Sequence, residues 1–302
     1  MRIDLRLLGR LAASLDSDPP RILQISAPRR RARLAYLAMQ PSMTETRERL
    51  ADLLWGNRYD KQARQSLRQA LVQLRRELEP FAAEALVIER DTVALNADLV
   101  SVDAREFLSL AGADEAASER ALVLYRGEFL DGIEIEAEAF GDWVRGERIR
   151  IRAAAVRVLE TYALRQDRLG RGAEAIAAAE RLAALDPPGE PAQRLLIALE
   201  ARHRGRDAAL ARASAFAALP REEVGSDPES ETAFLVAQIK RGELAPAPRP
   251  GPASRAAAPP AAEVKPAAFV AQEALPTTVS HQSLRPRRAP CPSLLDPHWR
   301  AT

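Results

Sequence analysis

The chain has 302 residues, of which 47% are hydrophobic, and a formal net charge of +2. This length allows a sizeable core and about two domains, and the near-neutral charge does not by itself indicate nucleic-acid binding. The single cysteine, Cys291, excludes an internal disulfide framework and a cysteine-based zinc site. No segment approaches the roughly 18 apolar residues of a membrane span, and the N-terminus lacks a signal peptide's apolar run, so we expect a cytoplasmic protein.

The first 100 residues predict strands, then three helices, then a hairpin. Short β-prone runs occupy residues 2–26, and the runs LVIER and TVALN join at Arg90-Asp91 as a hairpin. A first helix begins at Pro28 and ends before Pro41, and a second, TETRERLADLLW, is capped by Thr44 or Thr46. With a third helix over 60–78, this order is typical of a winged helix-turn-helix, in which the third helix enters the major groove.

The third helix has an apolar face and a basic face. On a helical wheel its apolar arc holds Ala63, Leu67, Ala70, Leu71, Leu74 and Leu78. The opposite arc holds Lys61, Arg64, Arg68 and Arg75, flanked by Gln65, Gln69 and Arg76, with Val72 in its middle. Arg can bind guanine, Gln adenine, and a small apolar group the thymine methyl, so this face suits a major groove. Taken alone, the helix fits a solvated charged face equally well.

Basic residues are concentrated in the first part of the chain. Residues 1–99 contain 17 Lys/Arg against 13 Asp/Glu, and several of the arginines cluster at the start of the first helix. Positive charge at a helix N-terminus opposes the helix dipole, which favours a phosphate contact for Arg29 and Arg31, although a solvated cluster remains an alternative.

The sequence from residue 100 to 242 predicts only helices, among them an internal repeat. The Arg171-Gly172 pair recurs at Arg204-Gly205, and Pro187 recurs at Pro220, in both cases 33 residues later. Helix-pair repeats of the tetratricopeptide type have a period of about 34 residues. We therefore expect a helical solenoid suited to protein contacts over 100–242, followed by a disordered Pro/Ala-rich tail over 243–302.

Enzymatic motifs are missing from this sequence. It contains no GxxxxGK phosphate loop, no GxSxG or HExxH motif and no Cys/His cluster. We therefore expect no catalytic residues, no metal site and no cofactor.

Several motifs in order resemble one family. TRERLADLLW, ARQSLRQALVQLRREL, SVDAREF, ALVLYRGEFLDG and a Trp143-x-x-x-Glu147-Arg148 run are similar to Streptomyces antibiotic regulatory protein (SARP)-type transcriptional activators. That type joins a winged helix-turn-helix, here 1–99, to a bacterial transcriptional activator domain of tetratricopeptide-like helices, here 100–242. The resemblance implies a mainly α fold and a regulator that binds promoter repeats in double-stranded DNA, often as a homodimer, and contacts RNA polymerase.

The resemblance also assigns roles to individual residues. It implies base contacts for Arg64, Gln65, Arg68, Gln69 and Val72. It implies phosphate contacts for Arg47 and for Arg75 or Arg76, and a contact from the wing for Arg90. With Arg29, Arg31 and Lys61, these form the predicted DNA-binding set.

Two alternatives remain open. The wing reads Asp91-Thr92-Val93-Ala94-Leu95 where the family commonly has Gly-Tyr-Arg-Leu, which leaves open a protein-interaction scaffold with a degenerate DNA-binding domain. The other alternative is a sensor fragment of a larger signalling protein.

Overall fold

The computed structural model describes residues 2–17, 19–25, 27–55, 60–218 and 229–244, without the side chains at 60 and 61. Its strands are β1 (Ile3–Arg6), β2 (Ala12–Leu15), β3 (Arg21–Leu23), β4 (Thr44–Thr46), β5 (Leu86–Ile88), β6 (Thr92–Leu95) and β7 (Val100–Val102). Its helices are α1 (Pro28–Met39), α2 (Arg47–Trp55), α3 (Asp60–Leu78), α4 (Asp103–Ala111), α5 (Glu115–Leu124), α6 (Glu138–Arg168), α7 (Gly172–Leu185), α8 (Glu190–His203), α9 (Arg206–Ala217) and α10 (Ser230–Arg241). The predicted mainly α fold is confirmed.

Two small sheets frame the first three helices. The first has the order β3-β2-β1-β7, with β1 antiparallel to β2 and parallel to β7. Alternate residues of β1, Ile3 and Leu5, are buried and pair with Leu15 and Ala13 of β2. The second sheet has the order β4-β6-β5, and its β5–β6 hairpin is the predicted wing. The amide of Glu89 donates to the carbonyl of Thr92 at 3.0 Å, which closes the hairpin around Arg90-Asp91.

The structure adds strands that the sequence patterns did not predict. Residues 44–46 form β4 rather than a first helical turn, and α2 begins only at Arg47. Of the two predicted caps, Thr46 is the one used, because its Oγ1 accepts a hydrogen bond from the amide of Arg49 at 3.2 Å. Likewise residues 100–102, which include the start of a stretch predicted as helical, form β7. Strands of three residues are too short to show a period, and only their pairing partners define them.

The start of α4 is bonded to the N-terminal region. The carboxylate of Asp103 is buried and accepts hydrogen bonds from the amides of Leu7, at 2.7 Å, and Leu8, at 3.3 Å. Burial raises the pKa of Asp103, while these two amides act in the opposite direction. Two residues later, the Arg105 guanidinium donates to the carbonyls of Gln40 and Pro41, which follow α1. These bonds connect the start of α4 to the segment that follows α1.

The loop between α5 and α6 runs beside the first sheet. The amide of Gly9 donates to the carbonyl of Glu128 at 2.9 Å, and the amide of Leu130 donates to the carbonyl of Leu7 at 2.9 Å. Gly9 has a positive φ of 100°, and a Cβ on Gly127 would lie 3.4 Å from its Cα. The approach of these two backbones therefore favours glycine at both positions.

Helix α6 belongs to two hydrophobic cores. Its N-terminal half packs with the sheets and α1, where the Trp143 ring lies 4.9 Å from the Tyr36 ring in an edge-on arrangement. Its C-terminal half, including Leu159 and Ala163, packs against α7. At 31 residues, α6 is about 46 Å long, which is enough to reach both cores.

The predicted repeat is present in the helices that follow. Gly172 begins α7 and Gly205 precedes α9, as the two Arg-Gly pairs indicate. Small residues such as Ala175 and Ala179 are fully buried, which allows close helix packing. Pro220 and most of the predicted disordered tail lie outside the described residues.

Candidate nucleic-acid interface

The two faces of α3 separate as the sequence predicts. Of the six apolar positions, five are buried and Ala70 is half-buried. The opposite face is exposed along its length, at Arg64, Gln65, Arg68, Gln69, Val72, Arg75 and Arg76. Val72 is 39% exposed although it is apolar. The side chain of Lys61 lies outside the described residues.

The exposed face of α3 meets the wing in a basic groove. Four predicted site residues line it, namely Arg47 of α2, Arg64 and Arg68 of α3, and Arg90 of the hairpin loop. The groove has a volume of about 440 Å³. Thr46, Glu48 and Asp91 also line it, so the charge of the groove is positive but partly offset. The predicted DNA-binding set did not contain these three residues, although the sequence placed Thr46 at a helix cap and Asp91 in the hairpin turn.

Arg47 holds the wing against α2. Its Nη1 lies 3.3 Å from the carbonyl oxygen of Glu89 and 3.4 Å from that of Arg90. Its backbone amide also donates to the carbonyl of Asp91, at 2.9 Å. Arg47 therefore fixes the position of the hairpin tip relative to the start of α2, in addition to any role toward a ligand.

The remaining arginines of α3 lie at its other end. Arg75 and Arg76 are in the last turns of the helix, and the rise of about 1.5 Å per residue places them about 16 Å or more along the axis from Arg64. The side chain of Arg75 faces a shallow surface near β5, together with Glu79 and Asn96. The exposed basic face of α3 therefore extends well beyond the groove at the wing.

The arginine cluster at the start of α1 is not a single surface patch. Arg29 is exposed and Arg31 is half-buried, whereas Arg30 pairs with Glu77 of α3 at 3.0 Å. Arg33 is only 2% exposed and lies over the Trp55 ring, 5.0 Å from its centroid. Burial, followed by the charges of Arg30 and Arg29, lowers the pKa of Arg33 to about 10. Arg29 and Arg31 thus remain available to a ligand to different degrees, and neither lines the groove.

Two features of other protein classes are absent from the described residues. No group of three or more His, Cys, Asp and Glu side chains in this part of the chain is arranged to hold a metal ion. None of the described helices is both long enough and apolar enough to cross a membrane.

Comparisons with known proteins identify a family domain in the middle of the chain. Residues 98–240 match the family model described as the bacterial transcriptional activator domain. A solved structure described as Mycobacterium tuberculosis EmbR in complex with low affinity phosphopeptide matches with a TM-score of 0.60 and 22% sequence identity. The match covers 80% of this chain and 66% of the EmbR chain, just under two thirds of EmbR. A comparison with curated proteins finds no significant match.

These findings agree with the resemblance seen in the sequence. The family match covers β7, helices α4 to α9 and nearly all of α10, and the likeness to EmbR shows that the fold extends over most of the chain. The chain carries a bacterial transcriptional activator domain over residues 98–240, and its fold is similar to that of EmbR.

Proposed function

We propose that the protein binds double-stranded DNA through α3 and activates transcription from promoters that contain repeated sites. The observation that carries the proposal is the exposed face of α3, where Arg68, Gln69 and Val72 lie within about one helical turn and none is needed for packing. Arginine and glutamine are the side chains that form paired hydrogen bonds with guanine and adenine. The exposed valine one turn further along the same face can contact a thymine methyl.

Phosphate groups have a suitable place beside this face. The N-terminus of α2 opens into the groove, and the helix dipole favours an anion there. Arg47 and Arg90 add positive charge at the same position. We assign these two residues, with Arg75 or Arg76 at the other end of α3, to the DNA backbone, where contacts fix the register without reading sequence.

The activator domain supplies the contacts to other proteins in this proposal. Its stacked helices α7 to α10 form repeats of the kind that present extended binding surfaces. We assign to them homodimer formation on repeated sites or contact with RNA polymerase.

Substitution of Arg68 by alanine tests the proposed readout. The full chain would be titrated onto DNA from upstream of its own gene and onto random DNA of equal length, at several salt concentrations. If Arg68 contacts a base, Arg68→Ala weakens specific binding by about 1–3 kcal/mol and relaxes specificity at one base position. Arg157→Ala, an exposed arginine on α6, removes the same charge far along the chain and should leave both affinities unchanged.

The alternative, a protein-interaction scaffold, gives a different result in the same titration. In that case the wild-type chain binds both DNAs weakly and equally, and Arg68→Ala has no selective effect. Normal operator binding by a folded Arg68→Ala protein would remove this residue from the interface. Circular dichroism on each variant separates a loss of contact from a loss of fold.

A further inference from the structure

A second basic cavity lies in the activator domain, where the 125–130 loop meets α6 and α7. It has a volume of about 430 Å³. Four arginines line it: Arg126 from the loop, Arg148 and Arg152 from α6, and Arg181 from α7. Glu128 is the only acidic side chain in the lining. The cavity is therefore strongly positive, although no part of the DNA-binding proposal uses it.

The four arginines differ in the hydrogen bonds and ion pairs that they already form within the protein. Arg148 is committed to the fold, because its Nε and Nη2 donate to the carbonyls of Phe129 and Leu130 at 2.9 and 3.2 Å. Arg181 donates from Nη2 to the carbonyl of Tyr125 at 2.9 Å. Arg126 lies 4.0 Å from the buried Asp103. Within the described part of the chain, Arg152 forms no ion pair or hydrogen bond, so its guanidinium can bind a ligand without breaking a contact.

The floor of the cavity is apolar. Phe129, Ile151 and Leu159 contribute to the lining and are all buried. The ring of Tyr125 stacks on Phe107 with centroids 5.4 Å apart. Burial is the main cause that raises the pKa of Tyr125, so its hydroxyl stays protonated and can donate a hydrogen bond at neutral pH. An apolar floor with a few convergent polar groups is the usual form of a small-molecule site, and the volume falls in the usual range of about 300–1,000 Å³.

We propose that this cavity binds a small anionic molecule, with a phosphate or carboxylate held by Arg152 and Arg181 and an aromatic or apolar body on Phe129 and Ile151. Guanidinium groups form paired, charge-assisted hydrogen bonds with both anions. The ligand would contact α6, α7 and the loop together. This inference does not depend on DNA binding.

Such a ligand would also affect the contact between the N-terminal region and the activator domain. The loop that lines the cavity is bonded to the N-terminal sheet through the Gly9 amide and the Glu128 carbonyl. A molecule bridging that loop and α7 therefore stabilises the arrangement in which the loop lies beside the sheet. The site is placed where a metabolite can influence the DNA-binding region, because a ligand shifts any equilibrium toward the state that binds it better.

Calorimetric titration of the full chain with four probes tests the proposal. Adenosine 5′-monophosphate and indole-3-acetate combine an anion with an aromatic body and distinguish a phosphate from a carboxylate head. Adenosine lacks the charge, and inorganic phosphate lacks the aromatic body. We expect at least one of the first two to bind saturably, and adenosine and inorganic phosphate to bind at least tenfold more weakly. Adenosine lacks the charge-assisted hydrogen bonds, which contribute tenfold or more to affinity. Inorganic phosphate lacks the apolar surface that the ring buries on the cavity floor.

Variants then locate the binding. Arg152→Ala should lower the affinity for the probe by about tenfold, and the double variant Arg152→Ala/Arg181→Ala should lower it further. Arg157→Ala lies on the same helix outside the cavity and should bind like the wild type. The single variant remains informative if loss of the Arg181 bond to Tyr125 disturbs the fold.

Four outcomes overturn the proposal. They are no binding by either anionic aromatic probe up to millimolar concentration, equal affinity for adenosine and its monophosphate, equal affinity of all variants, or a loss of DNA affinity in Arg152→Ala without a loss of probe binding. The last outcome would make the cavity a surface for DNA phosphates instead.

Discussion

Two arginine-rich stretches lie within the first 80 residues, one at the start of α1 and one along α3, and the fold uses them differently. In α3, Arg64, Arg68, Arg75 and Arg76 are all exposed. In α1, Arg33 is inside the core and Arg30 is paired with Glu77. The sequence predicts DNA contacts from both stretches. The comparison shows that an arginine cluster indicates a binding surface only where the helix that carries it keeps a free face.

The cause of the difference is the position of each helix. Helix α3 packs on one side only, so its wheel divides cleanly into buried and exposed arcs. Helix α1 is surrounded, and every residue from Ala32 to Met39 is buried. A basic residue in this part of α1 has no exposed arc to occupy. Its long side chain then lies against aromatic surface, as Arg33 does over Trp55.

Substitutions at two adjacent positions of α3 give the largest expected contrast. Leu71 is 1% exposed, so Leu71→Ala should lower the free energy of unfolding by about 2–5 kcal/mol. Val72 is 39% exposed, and Val72→Ala should change that free energy by no more than about 0.5 kcal/mol. Urea denaturation followed by circular dichroism measures both. Similar losses at the two positions would mean that α3 has no free face.

Replacement of Arg33 by methionine tests the buried arginine. Its Nε and Nη1 have no hydrogen-bond partner within the described structure. Burial lowers the pKa of Arg33 in the folded protein to about 10, below its value in the unfolded chain. At any pH below about 10, the charged guanidinium therefore lowers the stability of the folded state. We expect Arg33→Met to raise the free energy of unfolding by about 1–2 kcal/mol, after loss of the contact with Trp55.

The same variant sharpens the comparison of the two stretches. Arg33→Met should leave DNA affinity unchanged in a filter-binding or anisotropy titration, although it removes one positive charge. A lower unfolding free energy would show that the contact with Trp55 outweighs the cost of burial. A lower DNA affinity with unchanged stability would mean that the cluster acts as a surface after all.

Loss of Arg75 has the smallest expected effect. If this side chain contacts phosphate, Arg75→Ala weakens specific and random DNA alike, and the slope of log affinity against log salt concentration falls by about one. Arg157→Ala is the matched control, with an unchanged slope. A loss of affinity for the specific DNA alone would mean that Arg75 contacts bases rather than phosphates.

Much of this fold was predictable from sequence where elements are long. The apolar arc of α3, the hairpin around Arg90-Asp91 and the repeat opened by Gly172 and Gly205 all follow from periodicity and turn residues. The candidate groove was predictable in part. Four of its arginines came from the helical wheel and the family resemblance, but the bonds that tie Arg47 to the wing did not.

Contacts between distant residues account for what could not be predicted. His203 is the last residue of α8, where an exposed side chain is expected. Its side chain is only 10% exposed, and its Nε2 lies 2.7 Å from Oδ1 of Asp167. Gly172 permits this, since a Cβ there would lie 2.4 Å from the His203 ring. Neither contact of His203 has a local sequence signal, because Asp167 lies 36 positions and Gly172 lies 31 positions before it.

The amino-acid sequence by itself determined the helices, the basic face of α3 and the activator domain, because these depend on residue order at short range and on motifs in series. Only the tertiary structure decided which arginines are exposed, that β7 completes the first sheet, and that four arginines from a loop and two helices converge on one cavity. Those features depend on which surfaces are covered by segments far away in the chain. Burial and charge convergence are properties of packing, which local periodicity does not encode.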